Sequence, residues 1–120
     1  MISNNEKKIV NLLASELELS DAESIIFFSI IKNGKLSSEQ ISHISHLPIK
    51  LVKYTIDSLI SKGMILNYSN NLYETFHPRF AIINRYKRLC KEKNLKFSKN
   101  LKIDNLSAVL EKPFDVARTK

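Results

Sequence analysis

A chain of 120 residues with 43% hydrophobic content is long enough for one domain around one core. No apolar run nears the roughly 20 residues that span a bilayer, the N-terminus lacks the layout of a signal peptide, and the single cysteine, Cys90, cannot close an internal disulfide. A membrane or disulfide-framed secreted protein is therefore not expected; the cytoplasm is.

The first predicted helix covers residues 4–17. Ser3 and Glu6 form a capping box, and Ile9, Val10, Leu12, Leu13 and Leu17 follow at helical spacing. Ser20 and Glu23 repeat the box for a helix over 21–32, where Ala22, Ile25, Ile26, Phe28, Ile30 and Ile31 imply burial on more than one side. Asn33-Gly34 ends it. Ser37 and Gln40 open a short helix over 38–45, with Ile41, Ile44 and Leu47 as its apolar stripe. Pro48 then forces a turn at His46–Pro48.

A fourth helix is predicted over 49–62, stopped by Gly63. Val52, Thr55, Ile56, Leu59 and Ile60 share its inner face; Ile49, Lys50, Lys53, Tyr54 and Asp57 lie opposite. Residues 64–68 and 72–76 read as paired strands about Ser69-Asn70-Asn71, since Asn tolerates positive φ. His77-Pro78 opens a helix that frays by Asn94, with His77 as its cap. Ile82, Ile83, Tyr86, Leu89 and Cys90 line one side of it, and Arg79, Arg85, Lys87, Arg88, Lys91 and Lys93 cover much of the rest. Beyond it, Leu101, Ile103, Leu106, Val109 and Leu110 suggest one short helix ended by Pro113, leaving PFDVARTK as a mobile tail.

The charge is unevenly spread. Residues 1–76 hold seven Lys and eight acids, whereas 77–102 hold nine basic residues against Glu92 alone. Such a block meets phosphate or an acidic surface, or is a solvated helix face.

A short helix, a tight turn and a second helix make a helix-turn-helix, and a hairpin directly after it makes it winged. The expected fold class is mainly α with a small β-hairpin wing: a winged helix-turn-helix followed by a long basic helix. The division is 1–76 for the winged domain, 77–94 for the basic amphipathic helix, and 95–120 for a partly mobile C-terminal extension. In DNA-binding versions the second helix enters the major groove.

The stretch LSDAESIIFFSIIKNGKLSSEQISHISHLPIKLVKYTIDSLISKGMI resembles the N-terminal domain of TrmB-like transcription regulators of archaea. The matching residues are Leu19, Ser20, Glu23, Gly34, Ile41, Leu47, Pro48, Val52, Leu59, Lys62 and Gly63. YETFHPRFAIINRYKR looks like short archaeal relatives in which His-Pro-Arg begins the helix after the wing, and the likeness spans about residues 19–93. Family recognition helices often carry Arg, Ser or Thr where this chain has Ile49, Lys50 and Leu51. The resemblance implies a DNA-binding transcription regulator. Sugar sensing is not carried over, because only some 25 residues stand where sugar-responsive members have an effector domain.

The expected DNA-binding residues are Ser37 and Ser38, then Ile49, Lys50, Lys53 and Tyr54 on the reading helix, Asn70 and Asn71 at the wing, and Arg79, Arg85, Lys87 and Arg88 on the basic helix. The wing tip carries no Lys or Arg and offers only neutral hydrogen bonds; a plain hairpin turn is the other reading. The basic helix has three readings: along flanking DNA, as a dimer helix, or against an acidic protein partner of the transcription machinery. A homodimer is favoured, joined through Ile82, Ile83, Tyr86, Leu89 and Cys90 with its basic faces near DNA. The alternative function is a winged-helix protein–protein interaction module or a subunit of a transcription complex.

No cofactor is expected. His43, His46, His77 and Cys90 lack CxxC or HExxH spacing, so no metal is expected either. No glycine loop, nucleophile elbow or carboxylate pair points to an enzyme.

Overall fold

Each of the first three helices opens on the reciprocal cap expected of it. The hydroxyls of Ser3, Ser20 and Ser37 accept the N–H three residues on, and Glu6, Glu23 and Gln40 reach back to the serine N–H. In the computed structural model, which describes residues 3–119, these helices are α1 (Asn4–Leu17), α2 (Asp21–Asn33) and α3 (Ser38–Ser45). His46, at φ +60°, turns the chain out of α3, and α4 (Ile49–Ser61) starts directly after Pro48.

Gly63 ends this unit for two reasons. Its φ is +77°, and a Cβ there would lie 2.8 Å from the Arg88 guanidinium. Strand β1 (Ile65–Ser69) pairs antiparallel with β2 (Leu72–Thr75), from Ile65 opposite Thr75 to Asn67 opposite Tyr73. The register is irregular between Asn67 and Ser69, and Asn71 takes φ +52° in the turn. Leu36 adds a third rung, exchanging backbone hydrogen bonds of 3.1 and 2.8 Å with Tyr73. This ties the wing to the α2–α3 connection.

His77 caps α5 (Pro78–Glu92), its Nδ1 accepting the Arg79 N–H at 3.2 Å. Helix α6 (Leu101–Arg118) returns alongside α5 and packs on α5, α2 and α1. The fold is thus mainly helical, a winged helix-turn-helix followed by a long basic helix, with α6 added. Its core centres on α2, whose Ile26, Phe27, Ile30 and Ile31 are fully buried among Leu13, Leu17, Ile41, Val52, Ile56, Leu59 and Ile82. Among the described residues, no helix is long and apolar enough to cross a membrane.

The C-terminal segment departs from expectation. Helix α6 runs through Pro113 to Arg118, where a stop and a loose tail were predicted. An interior proline costs a helix about 3 kcal/mol. Tertiary contacts on both sides of it offset that cost. Ile103, Leu106 and Leu110 enter the core before the proline. After it, the Phe114 ring meets His77 edge-on at 5.2 Å, and Arg118 donates to the carbonyls of Ile30 and Ile31 at the end of α2.

Candidate nucleic-acid interface

Burial of Val52, Thr55, Ile56 and Leu59 fixes the rotation of α4 on the core. The opposite face is therefore presented to solvent. Lys50 and Lys53 are exposed, as are Ile49 and Leu51, and Tyr54 is 74% exposed. Among the described residues, the side chains of Lys50, Lys53 and Tyr54 make no hydrogen bond or ion pair, so their polar ends are available to a partner.

The wing is built differently from its sequence reading. Both ends of the Asn71 amide are used within the chain: Nδ2 donates to Glu39 Oε1 at 2.6 Å, and Oδ1 accepts from Ser38 Oγ at 3.0 Å. Ser38 is 1% exposed and cannot reach a nucleic acid; it belongs to the joint between α3 and the wing. Ser37 is half-buried and its hydroxyl is occupied capping α3, whereas Asn70 is exposed.

The wing also gains a cation that reading along the chain missed. Lys35 Nζ lies 4.3 Å over the exposed ring of Tyr68. No local signal joins these two residues. The Leu36–Tyr73 pairing does, by laying the α2–α3 connection beside the hairpin.

Glu39 opposes polyanion binding on this face. The hydrogen bond from Asn71, its own backbone N–H, Ser38 and the nearby Lys53 together hold its carboxyl below the usual carboxylate range, so it is ionised at neutral pH. Glu39→Gln removes one negative charge beside Lys53 and keeps an acceptor for Asn71. Duplex binding is expected to tighten several-fold, most strongly at low salt, in a fluorescence-anisotropy titration. Unchanged affinity at every salt concentration would place Glu39 away from the bound duplex.

On α5 the structure reassigns most of the expected contacts. Arg85 is 5% exposed and donates to the carbonyls of Leu17 (3.1 Å) and Glu18 (3.4 Å) at the end of α1. Burial lowers its pKa, partly countered by Glu92 and Glu23. It is a structural cap and not a phosphate contact, because the end of α1 leaves carbonyls that only a buried donor satisfies. Arg88 Nη1 donates at 3.0 Å to the carbonyl of Ser61, at the end of α4. Arg79 is 2.8 Å from Glu111. Lys87 is exposed, 5.2 Å above the Phe97 ring.

The expected dimer face is likewise occupied from within. Ile82, Leu89 and Cys90 are 0%, 6% and 5% exposed, because α1 and α6 pack on the same helix. Tyr86 is half-buried, tilted against Phe97 at 5.9 Å, and its hydroxyl accepts from Asn100. Ile83 is half-buried and lines a shallow cavity with Phe80, Asn84 and Lys87. His43, His46 and His77 are exposed on separate elements or helix ends while Cys90 is buried; among the described residues no three His, Cys, Asp or Glu side chains converge as a metal site.

No family model matches the chain, and no curated protein does. Among solved structures, the chain is similar to TrmBL2, described as an archaeal chromatin protein with a novel mode of DNA binding. The TM-score is 0.66 over 96% of this chain, at 20% identity, and the chain spans 44% of that protein's length. This likeness shows the fold: the winged helix seen here is shared with that DNA-binding protein.

Proposed function

We propose that this chain binds duplex DNA as a transcription regulator of TrmB-like kind, with α4 reading the major groove. The observation that carries the reading is the outer face of α4. Lys50, Lys53 and Tyr54 project unpartnered, among the described residues, from the second helix of a helix-turn-helix that has a wing beside it. The DNA-binding character of TrmBL2 supports it by shared fold. Within this reading, residues 1–76 form the reading unit, Lys35, Tyr68 and Asn70 offer contacts at the wing, and 77–94 brace the end of α4 through Arg88.

Pairing of two chains is the finer part of the proposal. With Ile82, Leu89 and Cys90 committed to the chain's own core, it would use Phe80 (54% exposed) and Ile83.

Selection from a random duplex library at near-physiological salt tests the function. An enriched motif is expected, and two-fold symmetry in it would support the dimer. If Lys53 contacts a base, Lys53→Ala is expected to weaken the enriched site by about 1–3 kcal/mol relative to random duplex. An unchanged ratio would remove Lys53 from the reading face.

A second reading has its own support. Ile44, Ile49, Leu51, Tyr54 and Ile60 are exposed on α3 and on both flanks of α4, apolar side chains of the kind a protein-interaction module presents. Duplex retention without enrichment, or none at all, would favour that module.

A further inference from the structure

Most of the chain's net charge sits after the wing and not on α4. Residues 87–102 hold seven basic side chains and one acid, a net of +6 out of +7 for the whole protein. Helix α5 starts at the base of the wing and runs for 15 residues, about 22 Å, so that Arg88 lies beside Gly63 and the lysines of residues 91–102 follow beyond it. The far end is fixed in place. Arg85 holds the end of α1 and Arg88 the end of α4, Lys93 pairs with Glu18, and the Leu95 N–H returns to the Cys90 carbonyl at 2.8 Å. The tip of the wing is pinned to α3 by Ser38, Glu39 and Asn71, not to this connection.

Four lysines are left over at this far end. Lys91 stands on the last turn of α5, Lys96 and Lys99 on the connection, and Lys102 on the first turn of α6; all are exposed, and none forms an ion pair among the described residues. The acids close by are few: Glu92 faces Arg85 at 4.0 Å, Glu18 is taken by Lys93, and Asp104 is half-buried. The connection between the two helices, which carries Lys96 and Lys99, has no regular structure and is held on α5 through Phe97 and Asn100 at Tyr86.

We propose that the α5–α6 connection is a second duplex-DNA surface, acting through Lys91, Lys96, Lys99 and Lys102, and that one chain thereby joins two duplexes. The proposal rests on the reading of α4 as the first DNA surface. Contact through lysines to phosphate carries no sequence information, so the second duplex is held without preference. Each phosphate engaged adds about 0.9 to the salt slope. The exposed Leu95 and Leu101 beside these lysines would instead suit an acidic protein, which the test separates.

The test tethers one duplex carrying the selected motif to beads and asks whether bound protein captures a second, dye-labelled duplex of random sequence. Wild type is expected to capture it. The variant K91Q/K96Q/K99Q/K102Q changes only exposed side chains; it is expected to occupy the tethered motif as before while capture falls at least about tenfold, as the phosphate contacts go. Three results would overturn the proposal. Wild type that occupies the motif but captures nothing leaves the surface to another partner, such as an acidic protein. Capture that survives in the variant assigns bridging to paired chains. Loss of affinity for the single tethered duplex places the lysines on the same duplex as α4. Failure of the underlying reading looks different: capture needs the four lysines, but occupancy of the tethered duplex is indifferent both to its sequence and to Lys53→Ala.

Discussion

Arg118→Ala is expected to lower the free energy of unfolding by about 2 kcal/mol, the scale of charged hydrogen bonds lost from a partly buried ion pair. The Arg118 guanidinium, 17% exposed, reaches three elements at once. Its Nε donates to Glu74 Oε2 at 3.2 Å and Nη2 pairs with Glu74 Oε1 on the wing. Nη1 donates to the carbonyls of Ile31 (2.8 Å) and Phe114 (3.0 Å), Nη2 to that of Ile30 (3.1 Å), and the group stacks 3.7 Å over the Phe114 ring. Truncation leaves Glu74, 13% exposed, without its cation and the Ile31 carbonyl without its side-chain donor. Urea unfolding reads the effect as a lower midpoint at constant slope. A variant as stable as wild type would mean that the last turn of α6 does not hold the wing. Since Glu74 is on β2, the loss is also expected to loosen the wing, seen as faster amide exchange at Tyr73 and Thr75.

The second large effect is expected at Glu23. Oε1 accepts the Ser20 N–H at 2.8 Å, completing the cap of α2, while Oε2 accepts Ser58 Oγ at 2.6 Å and Lys62 Nζ at 2.5 Å from the end of α4. One carboxylate, 4% exposed, thus joins the start of α2 to the end of the candidate reading helix. Burial pushes its pKa up, but the hydrogen bonds from Lys62, Ser58 and the Ser20 backbone outweigh that, and the net shift is downward. Glu23→Ala is expected to cost about 3 kcal/mol, since it removes a cap and leaves Lys62 half-buried without its anion.

The sign of the pH dependence follows from that downward shift. A carboxyl that binds its proton less readily folded than unfolded contributes stability above the unfolded pKa, about 4.3. The contribution is lost as pH falls through the lower folded value. Wild type is therefore expected to lose stability below about pH 4.3 more steeply than Glu23→Gln, which keeps the cap but not the charge. Parallel pH profiles for the two proteins would show that the Glu23 carboxylate is not ionically anchored in solution.

The elements of the winged helix-turn-helix were legible because their signals are local. Caps at Ser3, Ser20 and Ser37 act over three residues, Pro48 acts on its neighbours, and Asn71 sets its own turn. The side chains of the candidate site were legible where they stand on a regular helix. Once Val52, Ile56 and Leu59 face the core, helical geometry points Lys50, Lys53 and Tyr54 outward. Arg85 on α5 was misread for the opposite reason. A basic residue in an amphipathic pattern reads as solvated, yet Arg85 bonds to a carbonyl 68 residues away in sequence. Its long stem lets the guanidinium serve a helix end that only tertiary contact brings near.

By itself, then, the sequence determined the order of helices, the turn before α4, the hairpin and the uneven charge, since each depends on neighbours within a turn or two of the chain. Only the tertiary structure decided where the cations went. It gave Arg85 and Arg88 to the ends of α1 and α4, drew Arg118 to carbonyls as far as 88 residues away, and set Lys35 over Tyr68 at the wing. It also carried α6 past Pro113 onto the face of α5 that a second chain was expected to cover. The physical reason is the same in each case. A buried helix end must satisfy its carbonyls and a buried apolar face must find cover, and which group answers is set by proximity in the folded chain, not by spacing along it.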